Sequence, residues 1–132
     1  MKQTNDSQSE MQDDSPFGKV FAAYSMAFRD RNHDELRKSF NADASVILHD
    51  RRSMEKTELT PMVFFTRLYD EIGDAEFQID TLKSRFADGH LFADGIWIKS
   101  GETVFRAADL FTAARDGRID SLTVVWMNAE TT

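Results

Sequence analysis

The sequence of 132 residues contains no cysteine, which excludes disulfides, a thiol nucleophile and every thiolate metal site. Two prolines and six glycines are too few for a collagen-like or low-complexity chain. No apolar run approaches the roughly 18 residues that a membrane-spanning helix needs. Basic residues are outnumbered, 16 against 23 acidic, and the net charge of −7 repels phosphate backbones and anionic membranes. We therefore expect no nucleic-acid partner and no membrane partner.

The composition is that of an ordinary globular domain, with 41% hydrophobic and 30% charged residues. The polar, acidic start lacks the basic and apolar regions of a signal peptide, so we expect a cytoplasmic protein. Residues 1–14 carry one base and four acids, and their only apolar side chains are two methionines. This composition predicts a disordered tail over 1–14 and a single domain over 15–132.

Hydrophobic spacing and capping residues predict three helices. Ser15 caps the first, and apolar residues then recur every three or four positions as far as Phe28, which places its end near residue 30. Asn32 caps a short second helix that ends near residue 41. The third helix begins after Thr60 and ends at Gly73, which occupies a typical C-cap position.

Strands are predicted where the hydrophobic period becomes two. The first covers residues 44–50, and the charged run 51–58 is interpreted as a loop. From Asp74 onward, four strands near 75–87, 90–99, 102–114 and 118–128 form a predicted antiparallel meander joined by short turns. Asp94 and Gly95 interrupt the second of these strands, and we expect a bulge there.

The last strands are apolar on both faces, because Leu122, Val124 and Trp126 alternate with Ile119, Val125 and Met127. Helices can cover only one face of such a sheet. The other face is then available to a second copy of the chain. The sequence therefore predicts a homodimer formed through the outer sheet face.

This order of elements resembles the nuclear transport factor 2-like superfamily, which includes ketosteroid isomerase and SnoaL-like polyketide cyclases. The most specific segment is 36–46, where Phe40, Asp43, Ala44 and Val46 match a Phe-x-x-Asp-Ala-x-Val pattern at the junction of the second helix and first strand. The resemblance spans residues 16–127. It implies an α+β, cone-shaped (cystatin-like) fold, with three N-terminal helices packed on a curved, mostly antiparallel sheet around a hydrophobic pocket.

Similarity to the ketosteroid isomerase branch implies site residues as well. The tyrosine and aspartate that stabilise an oxyanion in that family align with Tyr24 and Asp109. The family's carboxylate base aligns with Leu48, which cannot carry a proton. His49 and Asp50 follow directly, and either is a candidate for a displaced base.

The residues themselves support two interpretations of Tyr24 and Asp109. Asp109 shares a strand face with Phe105, Ala107 and Phe111, so burial should raise the pKa of its carboxyl, as a hydrogen-bond donor or general acid near neutral pH requires. Alternatively, Asp109 accepts hydrogen bonds and only orders the core. The Tyr24 hydroxyl needs a partner if its ring is buried, and that partner is either a ligand or a core group such as Asp109.

Metal and cofactor chemistry have no support in the sequence. The three histidines lack the four-residue helical spacing of a zinc site, and there is no nucleophile elbow, P-loop or GxGxxG motif. We expect no metal and no cofactor.

Two functions remain open. The first is a cofactor-free acid/base isomerase, dehydratase or cyclase that acts on a small apolar carbonyl or hydroxyl compound, with Tyr24 and Asp109 as donors and His49 or Asp50 as base. The second is a non-catalytic domain that binds a ligand in the same pocket or only dimerises.

Overall fold

The computed structural model describes residues 15–79, 85–87 and 89–127. The predicted tail over residues 1–14 lies outside the described residues. Within the described part of the chain, three helices lie in the first 72 residues, and two strands, Phe40–Asp50 and Glu55–Leu59, separate the second helix from the third.

The helices begin and end close to the predicted positions. Helix α1 (Pro16–Asp30) is capped by the Ser15 side chain, which accepts a hydrogen bond of 3.1 Å from the amide of Gly18. Helix α2 (His33–Lys38) is capped by Asn32, and α3 (Pro61–Ile72) by the side chain of Thr60. Gly73 follows α3 with a positive φ of 58°. Helix α2 ends three residues before the predicted end, because the backbone from residue 40 pairs within the sheet.

The strands of the sheet are β1 (Phe40–Asp50), β2 (Glu55–Leu59), β3 (Glu76–Ile79), β4 (Arg85–Ala87), β5 (His90–Lys99), β6 (Glu102–Ala113) and β7 (Ile119–Met127). They have the order β2-β1-β7-β6-β5-β3, with β4 pairing β5. Strand β1 runs parallel to β7, and every other described pair is antiparallel.

Three strand predictions need correction. The predicted loop over 51–58 contains most of β2, an edge strand paired with β1 through its backbone. Its side chains are mostly exposed and charged, so no hydrophobic period marks it. Strand β1 starts at Phe40, four residues early, because Phe40 pairs with the distant Ile119. The predicted strand over 75–87 is two strands, β3 and β4, and residues 80–84 between them lie outside the described part.

The predicted bulge at Asp94 and Gly95 is also wrong. Both residues pair in regular register with Ala108 and Ala107 of β6, and the register of β5 shifts instead between Trp97 and Ile98. The glycine has a packing role, since a Cβ at residue 95 would lie 2.4 Å from a ring carbon of Phe77. Close approach of a ring from β3, and not a kink, therefore explains Gly95.

The sheet has an inner face, which α1 and α3 cover, and an outer face. Inner-face residues of β5, β6 and β7 contact helix side chains; for example, the rings of Phe111 and Phe21 are 5.4 Å apart. The core lies between the helices and this face, and it includes Phe65, Leu122 and Trp126, each at most 1% exposed. Side chains on the outer face, such as Leu110 and Val125, are half-buried.

The start of α1 packs on the loop between β6 and β7. Gly117 in that loop has a φ of 93°, and an added Cβ would lie 2.5 Å from the backbone of Pro16. We expect Gly117→Ala to lower the free energy of unfolding by more than the roughly 1 to 3 kcal/mol that a left-handed backbone alone costs. Urea denaturation measures the loss.

Gly101 provides the control. Its φ is 81°, but nothing lies within 4 Å of an added Cβ. Gly101→Ala should therefore cost only the backbone strain. Equal losses for the two variants would show that a methyl group at residue 117 does not clash with Pro16, and that the start of α1 does not pack closely on this loop.

Candidate functional site

A small cavity lies between α1, α3 and the inner face of the sheet. Its volume is about 20 Å³, which is room for one water molecule. Most of the wall is aromatic or aliphatic. The polar side chains are few, and the lining residues that bear them are Tyr24, Ser25, Arg29, Trp97, Asp109 and Trp126.

Tyr24 lines this cavity from the middle of α1 and is 6% exposed. Its ring packs against those of Phe28 and Phe111, at centroid distances of 5.8 Å and 5.4 Å. Burial and then the nearby Asp109 carboxylate raise the pKa of the Tyr24 hydroxyl well above its usual 10. The hydroxyl therefore stays protonated and can donate a hydrogen bond.

Asp109 lines the same cavity from the inner face of β6, opposite Ala93 on β5 and Val124 on β7. The residue as a whole is half-buried, but its Oδ1 atom is fully buried and has no hydrogen-bond partner among the described residues. Burial, and to a smaller extent the charge of Asp94, raise the pKa of the Asp109 carboxyl to about 7. This carboxyl can therefore both donate and accept a proton near neutral pH.

Trp126 lines the cavity from β7 and is fully buried. Its Nε1 atom also lacks a hydrogen-bond partner among the described residues. Residues on both sides hold the indole, because the Phe105 and Phe64 rings pack on it at 5.3 Å and 6.0 Å. In the sequence Trp126 is recognisable only as an apolar residue of the last strand, since no residue pattern reveals whether an indole N–H finds a partner.

Asp50 and His49 lie on opposite faces of β1, and neither lines the cavity. Asp50 shares the inner face with Leu48, but its two carboxylate oxygens accept hydrogen bonds of 2.9 Å from Nε and Nη2 of Arg52. These bonds lower the pKa of the Asp50 carboxyl. His49 lies on the outer face, level with Val125 of β7. The structure thus brings Tyr24 and Asp109 together and leaves Asp50 and His49 apart from them.

Arg52 connects the end of β1 to α3. It donates two further hydrogen bonds, of 2.8 Å and 3.1 Å, to the carboxylate of Glu71, and its guanidinium lies 5.4 Å from the ring centre of Trp126. Asp50 is therefore part of an ion-pair cluster that closes one end of the core. No sequence pattern marks this cluster, because Glu71 is 19 residues away from Arg52 and belongs to another element.

An open groove adjoins the cavity where α1 and α3 end. Its volume is about 660 Å³, and it shares Phe28, Arg29, Phe77 and Trp97 with the cavity wall. The ring of Phe77 packs on Trp97 at 4.9 Å and edge-on against Phe28 at 5.0 Å. These three rings line both the groove and the cavity.

The described ranges hold no group of three His, Asp or Glu side chains placed to bind a metal ion. No helix in those ranges is long and apolar enough to cross a membrane.

No family model and no curated protein sequence matches the chain. Several solved structures, in contrast, match it over most of its length. A candidate ketosteroid isomerase from Kribbella flavida is 12% identical with a TM-score of 0.66, covering 89% of this chain and 82% of its own. A candidate isomerase of the SnoaL-like family from Agrobacterium tumefaciens is 12% identical with a TM-score of 0.64, covering 86% and 98%.

A third structure, an NTF-2-like protein of unknown function from Burkholderia xenovorans, is 13% identical with a TM-score of 0.62, covering 86% of this chain and 84% of its own. At such identities the similarity concerns the fold. The chain has the nuclear transport factor 2-like fold, of the α+β kind found in ketosteroid isomerase-like and SnoaL-like proteins. The fold prediction from residues 16–127 is confirmed at this level.

The raised pKa of Asp109 predicts how stability depends on pH. The folded state binds the Asp109 proton more tightly than the unfolded state, in which the pKa is near 3.9, so this group stabilises the fold at low pH and loses that effect as pH rises to about 7. The quantity to compare is the free energy of unfolding of the wild type minus that of Asp109→Asn. This difference should fall by about 1.4 kcal/mol per pH unit between pH 5 and 6.5, and should level off above pH 8.

Urea denaturation of both proteins across this pH range measures the difference. Other ionisable groups titrate in both proteins and cancel. A difference that stays constant with pH would show that Asp109 has an ordinary pKa.

Proposed function

We propose that this protein binds a small, largely apolar molecule with one carbonyl or hydroxyl oxygen, and that Asp109 is the acid/base group acting on it. The observation that carries the proposal is a carboxyl with a pKa of about 7 whose buried Oδ1 has no partner among the described residues, in a cavity that is otherwise mostly apolar. A protonated Asp109 and the Tyr24 hydroxyl can both donate to the oxygen of such a ligand.

The arrangement favours some reactions over others. A lone carboxylate can take a proton from the carbon beside a carbonyl and return it to an oxygen of the same molecule, as dehydration or aldol cyclisation requires. In the ketosteroid type of isomerase, Tyr24 and Asp109 would both donate to the oxyanion, so the mechanism needs a separate base. Leu48 occupies that position in β1, and Arg52 holds Asp50 ionised outside the cavity wall. We therefore favour a dehydratase or cyclase over an isomerase.

A second candidate is a non-catalytic protein that binds a similar ligand. The absence of another carboxylate among the described lining residues favours it, because Asp109 would then only recognise the ligand's oxygen. Either function requires the cavity to widen. The ring of Phe77 lines both the cavity and the groove, so its movement would join the two spaces.

Proton exchange separates the two candidates. We expect the wild type to accelerate deuterium incorporation beside the carbonyl of 2-tetralone, a small apolar ketone, in deuterated buffer. Asp109→Asn should abolish the acceleration, since its amide cannot accept the carbon-bound proton. NMR follows the exchange, and Glu76→Gln, at the rim of the groove, is the control. If 2-tetralone binds but exchanges no faster than in buffer, the non-catalytic candidate is right.

Homodimerisation through the outer sheet face remains part of the proposal. Ile96, Leu110 and Val125 form a half-buried apolar surface there, and Phe92 beside them is 54% exposed. At its centre the Asp94 and Arg106 side chains form an ion pair of 3.5 Å. A second copy related by a two-fold axis covers this surface with its own equivalent.

Sedimentation velocity at micromolar concentration tests the dimer. The wild type should sediment with twice the mass of one chain, and Leu110→Glu should sediment as a monomer, because it introduces a charge into the apolar interface. Thr66→Glu on the exposed side of α3 is the control and should remain dimeric. A monomeric wild type would remove this part of the proposal.

A further inference from the structure

Two buried polar atoms in the cavity wall lack hydrogen-bond partners among the described residues: Oδ1 of Asp109 and Nε1 of Trp126. Leaving such atoms unpaired is unfavourable, and native structures pair nearly all of them with protein or water. One atom is an acceptor when the carboxyl is ionised, and the other is a donor at every pH. The two atoms are therefore complementary to one hydroxyl group.

The register of the sheet brings the two side chains together. Asp109 lies opposite Val124, and Trp126 lies two residues further along the same face of β7. Diagonal neighbours of this kind are within reach of aromatic and long side chains across two strands. Both line a space that is large enough for about one water molecule. An oxygen atom in that space can contact both groups.

Two arginines and a phenylalanine hold the Trp126 indole in place. The guanidinium groups of Arg52 and Arg67 lie 5.4 Å and 5.5 Å from its ring centre, and the Phe105 ring packs edge-on against it. Two cations over one ring draw electron density from it, which makes the N–H a stronger donor. They also favour partial negative charge on an oxygen that accepts from this N–H.

We propose that Asp109 and Trp126 form one oxygen-binding subsite, in which the indole N–H of Trp126 donates to the oxygen that contacts the Asp109 carboxyl. In the ligand-free protein the oxygen is that of a single water molecule. In the complex it is the hydroxyl or carbonyl oxygen of the ligand. The inference deepens the proposed function, because it makes Trp126 a determinant of which ligands bind.

The protonation state of Asp109 then selects between two ligand classes. When the carboxyl is ionised, the subsite pairs with a hydroxyl, which donates to Asp109 and accepts from Trp126. When it is protonated, the subsite also accepts a carbonyl oxygen, because both groups are donors. Ketones should therefore bind better below neutral pH, whereas alcohols and phenols should bind on both sides of it.

The first test needs no ligand. In Trp126→Phe the bound water loses one hydrogen bond that supports the ionised carboxylate, so the pKa of Asp109 should rise by about half a unit to one unit in an NMR titration of its carboxyl carbon. Trp97→Phe is the matched control, because Trp97 lines the same cavity and its nitrogen is not one of the unpartnered buried atoms. Its Asp109 titration should stay within 0.2 unit of the wild type, a margin of about 0.3 kcal/mol.

The second test uses a pair of probes with one shape. The wild type should bind 2-naphthol about tenfold more tightly than naphthalene, and Trp126→Phe should lose most of that preference while its affinity for naphthalene is unchanged. Fluorescence titration of each probe measures the affinities. If neither probe binds, the proposed ligand class is wrong, and the titration of Asp109 alone decides the subsite.

Two results would overturn the subsite. One is an Asp109 pKa that is the same in Trp126→Phe and the wild type. The other is an equal shift in Trp126→Phe and Trp97→Phe, which would attribute the effect to packing. Circular dichroism of each variant confirms that it is folded before the titration is interpreted.

Discussion

The structure depends on a layer of aromatic rings between the helices and the inner face of the sheet. Rings from α1 and α3 meet rings from β5, β6 and β7 at centroid distances between 5.4 and 6.3 Å, and most of these pairs are edge-to-face. Edge-to-face packing of large rings stabilises each pair beyond the burial of its surface. It also leaves gaps, since planar rings fill an irregular space less completely than branched aliphatic side chains do. The cavity is such a gap, so the same side chains stabilise the fold and form the wall of the candidate site.

An aromatic wall determines the chemistry of the few polar groups within it. Asp109 has little around it that can replace water, and its pKa rises for that reason more than because of any charged neighbour. Asp50 is only 6% exposed, yet the pKa of its carboxyl falls, because Arg52 donates two hydrogen bonds to it. The two carboxyls lie on one face of one sheet, but burial is the larger cause of the pKa shift at Asp109 and the Arg52 hydrogen bonds are the larger cause at Asp50. For that reason we propose the acid/base role for Asp109 and a structural role for Asp50.

Local signals in the sequence predicted much of the fold. Ser15, Asn32 and Thr60 cap their helices as expected, because capping depends on a side chain and amides three residues away. The errors fall where distant pairing decides the structure. Strand β2 exists because its backbone pairs with β1, and Gly95 is required by a ring that arrives from β3. Neither contact leaves a periodic trace in the sequence near those residues.

The sequence by itself determined that Asp109 lies among apolar side chains and that Tyr24 faces the core, since strand and helix periods fix which residues share a face. Only the tertiary structure decided what surrounds them. It joined Tyr24, Asp109 and Trp126 around one cavity, separated Asp50 and His49 from it, and gave the Trp126 N–H no hydrogen-bond partner within the part of the chain that the structure describes. The physical reason is that a side chain's face follows from its neighbours along the chain, whereas its hydrogen-bond partners come from elements far away in sequence.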